Sequence, residues 1–248
     1  MNVSREYETG AEVFIPSLAE KYAAKQRKRR NRVFPGKILP ILVAICILLA
    51  LGLSGFLSGF QHTDSLDRGW NLILVNYEYR LPRDYTVELT QLSNGERVDS
   101  RMYPALQEMF DDMRAEGVYP IVASGYRSQQ EQQMLLEEKI QQYRDQGYSH
   151  KKAREAALLR VAEPGTSEHQ LGLAVDINQE GTRSTAGQVY AWLEQHAWEY
   201  GFILRYPEEK SHITGITKEP WHYRYVGQPA AAEIYQRGIT LEEYLDAA

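Results

Sequence analysis

The feature that most constrains this chain is a run of uncharged residues near its N-terminus. Residues 38–60 contain no Asp, Glu, Lys or Arg, and at about 1.5 Å per residue a helix of this length spans a hydrocarbon core of roughly 30 Å. A basic segment that includes Arg27, Lys28, Arg29 and Arg30 precedes the run. Because positive side chains stay on the cytoplasmic side of a membrane segment, the sequence predicts a single-pass protein of the cell membrane with a cytoplasmic N-terminus and the rest of the chain extracellular.

This interpretation divides the chain into a basic cytoplasmic tail over 1–37, a transmembrane anchor over 38–60, a linker over 61–70 and an outer domain over 71–248. The alternative is a cleaved signal peptide, whose apolar region ordinarily covers only about 7 to 15 residues and ends in small residues. The apolar run continues here through Phe60. An uncleaved anchor is therefore favoured.

The predicted outer part is acidic. The first 37 residues hold nine of the 28 Lys and Arg but only four of the 33 Asp and Glu, so residues 62–248 carry a net charge of about −10. An acidic domain does not attract polyanions through its bulk charge, and we expect no nucleic-acid partner. Any anionic group of a substrate must then be held by specific cations. The only cysteine, Cys46, lies in the uncharged run, so the outer domain has no disulfide and depends on its core.

Four residues in two short stretches carry the strongest chemical signal: His169 and Asp176 in Ser-Glu-His-Gln-Leu-Gly-Leu-Ala-Val-Asp, and Glu219 and His222 in Glu-Pro-Trp-His. An isolated histidine is more often a core or surface residue than a ligand, but two imidazoles and one carboxylate are what a catalytic zinc ion takes from a protein. His169, Asp176 and His222 are the predicted Zn²⁺ ligands. Glu219 remains as the base. Strand alternation places Glu219 and His222 on opposite faces, so the chain must bend at Pro220 for them to converge.

Periodicity predicts a mixed domain. Apolar residues recur at helical spacing within 104–116 and alternate within 173–177, as expected for an amphipathic helix and a half-buried strand. Strands are predicted over 71–79, 119–124, 173–177, 202–206 and 221–226, and helices over 104–116, 129–144 and 150–161, before Gly201 and at the C-terminus. The predicted class is α+β, a small and mainly antiparallel sheet with flanking helices that carries the zinc site, preceded by one transmembrane helix.

Three segments resemble the VanY-type D-alanyl-D-alanine carboxypeptidases. They are Ser-x-His-x6-Asp at 167–176, Glu-Pro-Trp-His at 219–222 and Ser-Gly-Tyr-Arg-Ser at 124–128. The three segments occur in the order of that family, and the resemblance extends over about 71–226. It implies a zinc peptidase that trims the peptide stems of bacterial cell walls. A relative in the same family removes D-alanine from an L-residue instead.

The third of these segments contains Arg127. A guanidinium is always charged and offers two parallel donors, so Arg127 is the predicted second catalytic residue, stabilising the oxyanion; a structural salt bridge to a helix is the alternative. By family position alone, Ser167, Ser128 and Tyr126 are candidates for binding the free carboxylate of a terminal D-alanine.

The sequence thus predicts a membrane-anchored zinc carboxypeptidase that removes the terminal D-alanine from peptidoglycan stem peptides. No residue reads the stereocentre before the scissile bond, so an L,D-carboxypeptidase acting on tetrapeptide stems stays open, although the breadth of the resemblance favours D,D cleavage. A zinc endopeptidase or amidase of the cell wall shares the same ligand chemistry. A non-catalytic wall-binding module is disfavoured, because Glu219, Arg127 and all three ligands are present.

Overall fold

The computed structural model describes residues 69–246. The predicted cytoplasmic tail, the predicted membrane segment at 38–60 and nearly all of the predicted linker lie outside this range. Between residues 69 and 246, no helix combines the length and apolar character needed to cross a membrane.

The chain divides into two units, 1–73 and 74–248. The first is described from Gly69 onward, where the backbone N–H of Leu72 donates to the Gly69 carbonyl at 3.1 Å in a tight turn. The second unit contains the elements that follow.

A two-stranded hairpin opens the second unit. Strand β1 (Leu89–Gln91) pairs antiparallel with β2 (Arg97–Asp99). The connecting turn includes Gly95, whose φ of 92° is the left-handed conformation that glycine adopts without strain. The Ser-Asn-Gly segment at 93–95 lies in this hairpin turn.

The main sheet has four strands: β3 (Pro120–Ser124), β4 (Ala174–Gln179), β5 (Phe202–Leu204) and β6 (His222–Tyr225). Their order is β3-β4-β6-β5, and every neighbouring pair is antiparallel. The central strand β4 sends Val175 and Ile177, both fully buried, to one face. Asp176 consequently points to the opposite face, as the alternation predicts.

Helix α1 (Tyr103–Ala115) shows most directly how sequence spacing sets packing. Pro104 lies in its first turn, where the missing N–H has no intrahelical partner to lose. Met109 and Met113, four residues apart, are both fully buried, because residues at this spacing share one helix face. The predicted helix over 104–116 is confirmed.

Helices α2 (Gln129–Asp145) and α3 (His150–Ala157) lie between β3 and β4 in the chain. They pack together through a small cluster in which Leu136 and Val161 are buried. Helix α3 ends at Ala157, four residues before the predicted end.

The remaining helices are α4 (Ala186–His196), α5 (Ser211–Thr214), α6 (Gln228–Arg237) and α7 (Leu241–Asp246), with short 3-10 turns at Glu168–Leu171, Ala197–Tyr200 and Glu208–Lys210. The described part of the chain is thus an α+β structure with a small antiparallel sheet and helices, as predicted. The predicted transmembrane helix lies outside it.

One predicted strand is wrong. Residues 71–79 form no strand, because Asn76 closes a turn instead. Its Oδ1 accepts the backbone N–H groups of Glu78 at 2.8 Å and Tyr79 at 3.1 Å, and its own N–H donates to the Tyr79 carbonyl at 2.9 Å. These bonds occupy the groups that a strand ladder requires, a competition typical of asparagine.

Candidate active site

The β4–β6 pairing brings the predicted metal ligands together. The register places Asp176 directly opposite His222, so their side chains leave neighbouring strands on the same face. His222 Nδ1 lies 3.0 Å from Asp176 Oδ1. His169, in the 3-10 turn before β4, brings its Nε2 to 3.5 Å from the same oxygen. One donor atom from each of the three residues lies within 4.8 Å of the others.

His169 is oriented for a metal ion by the backbone of another segment. Its ring is almost fully buried, and its Nδ1 lies 2.6 Å from the Gly125 carbonyl. A carbonyl can only accept, so Nδ1 carries the proton and Nε2 keeps a free lone pair. This Nε2 is buried with no hydrogen-bond partner in the described part of the chain. Burial and the nearby Arg127 lower the pKa of His169 to about 4, so the ring is neutral, as a zinc ligand must be.

The Gly125 carbonyl reaches His169 because residue 125 has no side chain. A Cβ built at this position would lie 2.2 Å from the backbone oxygen of Arg97, far inside any real contact distance. Glycine is therefore required by a close approach of two backbones.

His222 stands between two carboxylates. Its Nδ1 faces Asp176, and its Nε2 lies 3.7 Å from Glu168 Oε2 on the other side. Burial alone would lower the pKa of His222, but Asp176 and Glu168 outweigh burial and raise it to about 9. The negative surroundings thus favour a positive charge at this ring, whether that charge is a proton or an adjacent metal ion.

A turn brings Glu219 close to the predicted metal ligands. The backbone N–H of His222 donates to the Glu219 carbonyl at 3.1 Å, so residues 219–222 form the bend that the sequence requires around Pro220. Glu219 Oε2 lies 3.9 Å from His222 Nδ1. Burial, with Asp176 adding like-charge repulsion, raises the pKa of Glu219 to about 7. A carboxyl group of this pKa can both accept and return a proton near neutral pH.

Arg127 completes the cluster. Its Nη2 lies 3.8 Å from Asp176 Oδ2, and its Nε is buried with no hydrogen-bond partner among the described residues. Burial lowers the pKa of Arg127, although Asp176 and Glu219 oppose that shift; a guanidinium stays charged even so. The ion pair joins Arg127 to strand β4, whereas the structural alternative expected a helix partner. A buried cation with an open donor therefore lines the cleft.

The three ligands, Glu219 and Arg127 all line one cleft of about 400 Å³. It combines a metal-ligand set, a carboxyl group with a raised pKa and a fixed cation. This combination fits hydrolysis of a peptide or amide bond next to an anionic group.

Comparison with known proteins decides the family. The family model "VanY: D-alanyl-D-alanine carboxypeptidase" matches residues 95–228, a range that contains every residue of the cluster. The chain belongs to the VanY family. A D-alanyl-D-alanine carboxypeptidase of Enterococcus faecalis is 56% identical over 180 residues, which are 73% of this chain and 67% of that relative.

Solved VanY-family structures agree with the fold and the metal. Vancomycin resistance D,D-pentapeptidase VanY from a VanB-type resistance cassette, in complex with Zn(II), is 57% identical with a TM-score of 0.70, covering 71% of this chain and 99% of that one. VanYB in complex with D-alanine-D-alanine is 56% identical with a TM-score of 0.71, covering 72% and 98%. The LdcB LD-carboxypeptidase is more distant, at 34% identity and a TM-score of 0.59, covering 71% and 86%. The predicted VanY-family membership, zinc carboxypeptidase activity and zinc cofactor are confirmed.

The three predicted substrate-binding residues lie in different surroundings within this VanY-family fold. Ser167 is buried and lines the cleft. Ser128 does not line it; its Oγ accepts the backbone N–H of Glu131 at 3.2 Å and caps helix α2. Tyr126 also lies outside the described lining, with the guanidinium of Arg97 5.2 Å from its ring centre. Their roles in substrate binding stay predictions.

Two buried residues of this VanY-family site were not among the predicted residues. Glu168, adjacent to His169, is fully buried beneath the ligands. Gln132 lines the cleft, donates its Nε2 to the Ala162 carbonyl at 2.8 Å and leaves a buried Oε1 without a partner among the described residues. Both stand in polar stretches, and no local pattern separates them from exposed residues. Only their proximity to motif positions could have drawn attention to them.

Proposed function

We propose that this D-alanyl-D-alanine carboxypeptidase removes the terminal D-alanine from peptidoglycan stem peptides on the outer side of the cell membrane. The observation that carries the proposal is the meeting of the zinc donors, the Glu219 carboxyl and the Arg127 guanidinium in one cleft. Cleavage of the last peptide bond needs an activated water, a proton carrier and a cation for the developing negative charge. The cleft supplies a residue for each need.

The zinc donors are the two imidazoles and the Asp176 carboxylate. When bound there, zinc supplies a Lewis acid that polarises the scissile carbonyl and lowers the pKa of water. His169 contributes its unprotonated Nε2, which has no hydrogen-bond partner among the described residues. His222 contributes Nδ1, the nitrogen that faces Asp176.

Glu219 moves the proton. Its carboxylate accepts a proton from the attacking water and returns it to the nitrogen of the leaving D-alanine. The carboxyl lies 3.9 Å from His222 Nδ1, so water held near the donors is within its reach. Its pKa of about 7 lets the same group perform both transfers near neutral pH.

Arg127 holds negative charge. Its guanidinium stabilises the oxyanion that forms as the carbonyl is attacked, and the same local cation draws the free carboxylate of the terminal D-alanine into an otherwise acidic domain. The carboxylates of Asp176 and Glu219 keep Arg127 in place from one side. Its Nε, which has no hydrogen-bond partner within residues 69–246, leaves donor capacity for a substrate oxygen.

Sequence identity to solved structures favours D,D cleavage over L,D cleavage. The chain is 56% identical to a structure that holds D-alanine-D-alanine and 34% identical to an LD-carboxypeptidase. We therefore expect the residues that decide between the two activities to resemble those of the structure that holds D-alanine-D-alanine.

The proposed location rests on the sequence. The uncharged run at 38–60 and the basic residues before it favour a single-pass anchor with the catalytic part outside. Protease added to intact cells should release a fragment of about the outer domain's size, because the predicted linker at 61–70 is polar. Protection in intact cells with cutting after lysis would reverse the orientation. The acidic charge of the predicted outer domain disfavours a nucleic-acid partner.

Paired peptides test the function. Pentapeptide stems ending in D-alanyl-D-alanine, tetrapeptide stems ending in L-residue-D-alanine, and the C-terminal amide of each are incubated with the protein, and the products are weighed by mass spectrometry. We expect loss of one D-alanine from the D,D acid and little cleavage of its amide, because the amide has no carboxylate for the Arg127 guanidinium to hold. Preference for the tetrapeptide would establish the L,D activity. Equal rates on acid and amide would exclude a carboxypeptidase and favour an endopeptidase or amidase.

A further inference from the structure

A buried ionic network lies directly behind the metal ligands. Glu168 and Arg205 are fully buried, and Glu168 Oε1 accepts from Arg205 Nε at 2.8 Å. Arg224, also fully buried, brings its Nη1 to 3.0 Å from the same oxygen. Both cations therefore converge on one oxygen of Glu168. This arrangement leaves the second oxygen, Oε2, turned away from them.

The second oxygen faces a metal ligand. Glu168 Oε2 is buried with no hydrogen-bond partner in the described range, and so is His222 Nε2, which lies 3.7 Å away. Burying a carboxylate oxygen costs free energy unless the oxygen accepts a hydrogen bond. The negative charge of this oxygen favours a proton on the nearby Nε2 of His222, which leaves the lone pair of Nδ1 on the Asp176 side. Glu168 thereby selects the His222 tautomer that binds metal.

The network continues to the C-terminal helix. Arg205 donates Nη1 and Nη2 to the two carboxylate oxygens of Glu242, at 2.9 and 2.6 Å. Glu242 lies in α7 (Leu241–Asp246), beyond residue 228, where the family match ends. Its Oε1 also accepts from Asn76 Nδ2 at 2.9 Å, a residue before that match. Segments on both sides of the matched region thus brace the arginine that holds Glu168.

We propose that Glu168 is a positioning residue for His222, and that Glu242 acts through Arg205 to keep Glu168 in place. The guanidinium of Arg205 binds two carboxylates: Nε donates to Glu168, and the two terminal nitrogens donate to Glu242. When the Glu242 charge is removed, the terminal nitrogens lose their anion and turn towards Glu168. That movement draws the carboxylate away from Nε2 of His222. The C-terminal helix is in this way part of the metal site.

The test compares two substitutions on one helix. Glu242→Gln removes the charge that holds Arg205, and we expect zinc affinity to fall by about 10-fold, the lower end of what loss of a metal-site supporting group causes. Glu243→Gln is the matched control, because it removes the same charge from the neighbouring residue, which pairs with the half-exposed Lys210 at 2.9 Å. The zinc dissociation constant is measured on the purified full-length chain by competition with a chromophoric chelator. The control should match the wild type.

A purely structural role of Glu242 predicts a different result. If Glu242 has only a structural role, Glu242→Gln lowers the melting temperature of the metal-free protein, and the increase in melting temperature on adding zinc stays as in the wild type. If Glu242 positions Glu168, that increase becomes smaller. Arg205→Lys keeps a cation for Glu168 but loses the guanidinium that holds both carboxylates, so it should also weaken zinc binding. It replaces Glu242→Gln in the test if that variant does not fold. Wild-type zinc affinity in a folded Glu242→Gln or Arg205→Lys protein would overturn the inference.

The inference rests on the proposed zinc site, and the same titration separates the two. A wild-type chain that binds no zinc would refute the proposed function itself. A wild-type chain that binds zinc with the same affinity as the Glu242→Gln variant would refute only the role of the C-terminal helix.

Discussion

Replacing the proposed base with its neutral isostere, Glu219→Gln, should have opposite effects on activity and on stability. Burial raises the pKa of Glu219 from an ordinary 4.5 to about 7. A raised carboxyl pKa means that folding disfavours the charged form, so this penalty is absent below the unfolded pKa of 4.5 and grows as pH rises through 7. For a shift of this size the penalty is about 3 kcal/mol at pH 8 and under about 1 kcal/mol at pH 5.

The variant carries no such penalty. In metal-free protein we therefore expect Glu219→Gln to gain about 2 kcal/mol relative to the wild type between pH 5 and pH 8. Urea unfolding at the two pH values measures this difference, and any constant effect of the amide cancels. Glu209→Gln is the control, because Glu209 is exposed in the same region.

The activity of Glu219→Gln should fall, although its stability rises. The variant should keep one zinc per chain and lose turnover by several orders of magnitude, because the ligands remain and the proton carrier is gone. Near-normal kcat, or a stability difference that does not change with pH, would show that Glu219 is neither the base nor a buried carboxyl of raised pKa.

Three further predictions concern the metal and its surroundings. Chelation should abolish hydrolysis and lower the melting temperature, with zinc restoring both, because a ligand of the folded state stabilises it; metal analysis showing activity without stoichiometric zinc contradicts this. Arg127→Lys should lower kcat by about 10-fold or more, since a point charge cannot replace the fork beside Asp176; unchanged steady-state rates would remove Arg127 from catalysis. Gly125→Ala should destabilise the fold by about 1–3 kcal/mol and weaken zinc binding, because its Cβ meets the Arg97 oxygen and displaces the carbonyl that orients His169; wild-type urea midpoints and zinc affinity would refute the close-approach argument.

The parts of this structure that sequence predicts are those whose cause is local. The buried face of α1 follows from a 3.6-residue period, and Asp176 emerges opposite Val175 and Ile177 because a strand has a period of two. The bend at Pro220 was required by the same alternation once Glu219 and His222 were assigned to one site.

The parts that sequence did not predict depend on distant partners. Glu168 reads as a surface carboxylate until Arg205, 37 residues later, is seen beside it. The strand expected over 71–79 has the right composition, but the side chain of Asn76 closes a turn there. Gly125 looks like an ordinary turn glycine, and only the backbone of Arg97 shows why no other residue fits. The predicted anchor at 38–60 stays a prediction.

Electrostatics also supports the proposed role of Glu219 as the base, independently of the motif. Three buried carboxyl groups lie at the predicted metal site, one of them the predicted ligand Asp176, and burial acts to raise the pKa of each. For Glu168, the charge of Arg205 outweighs burial and holds the pKa well below its usual range. For Asp176, the neighbouring imidazoles of His169 and His222, of which His222 favours a positive charge, hold the pKa below its usual range. Only Glu219 keeps a raised pKa, at about 7. Two of the carboxylates are thus fixed as anions that hold cations in place, and of the three only Glu219 can exchange a proton near neutral pH.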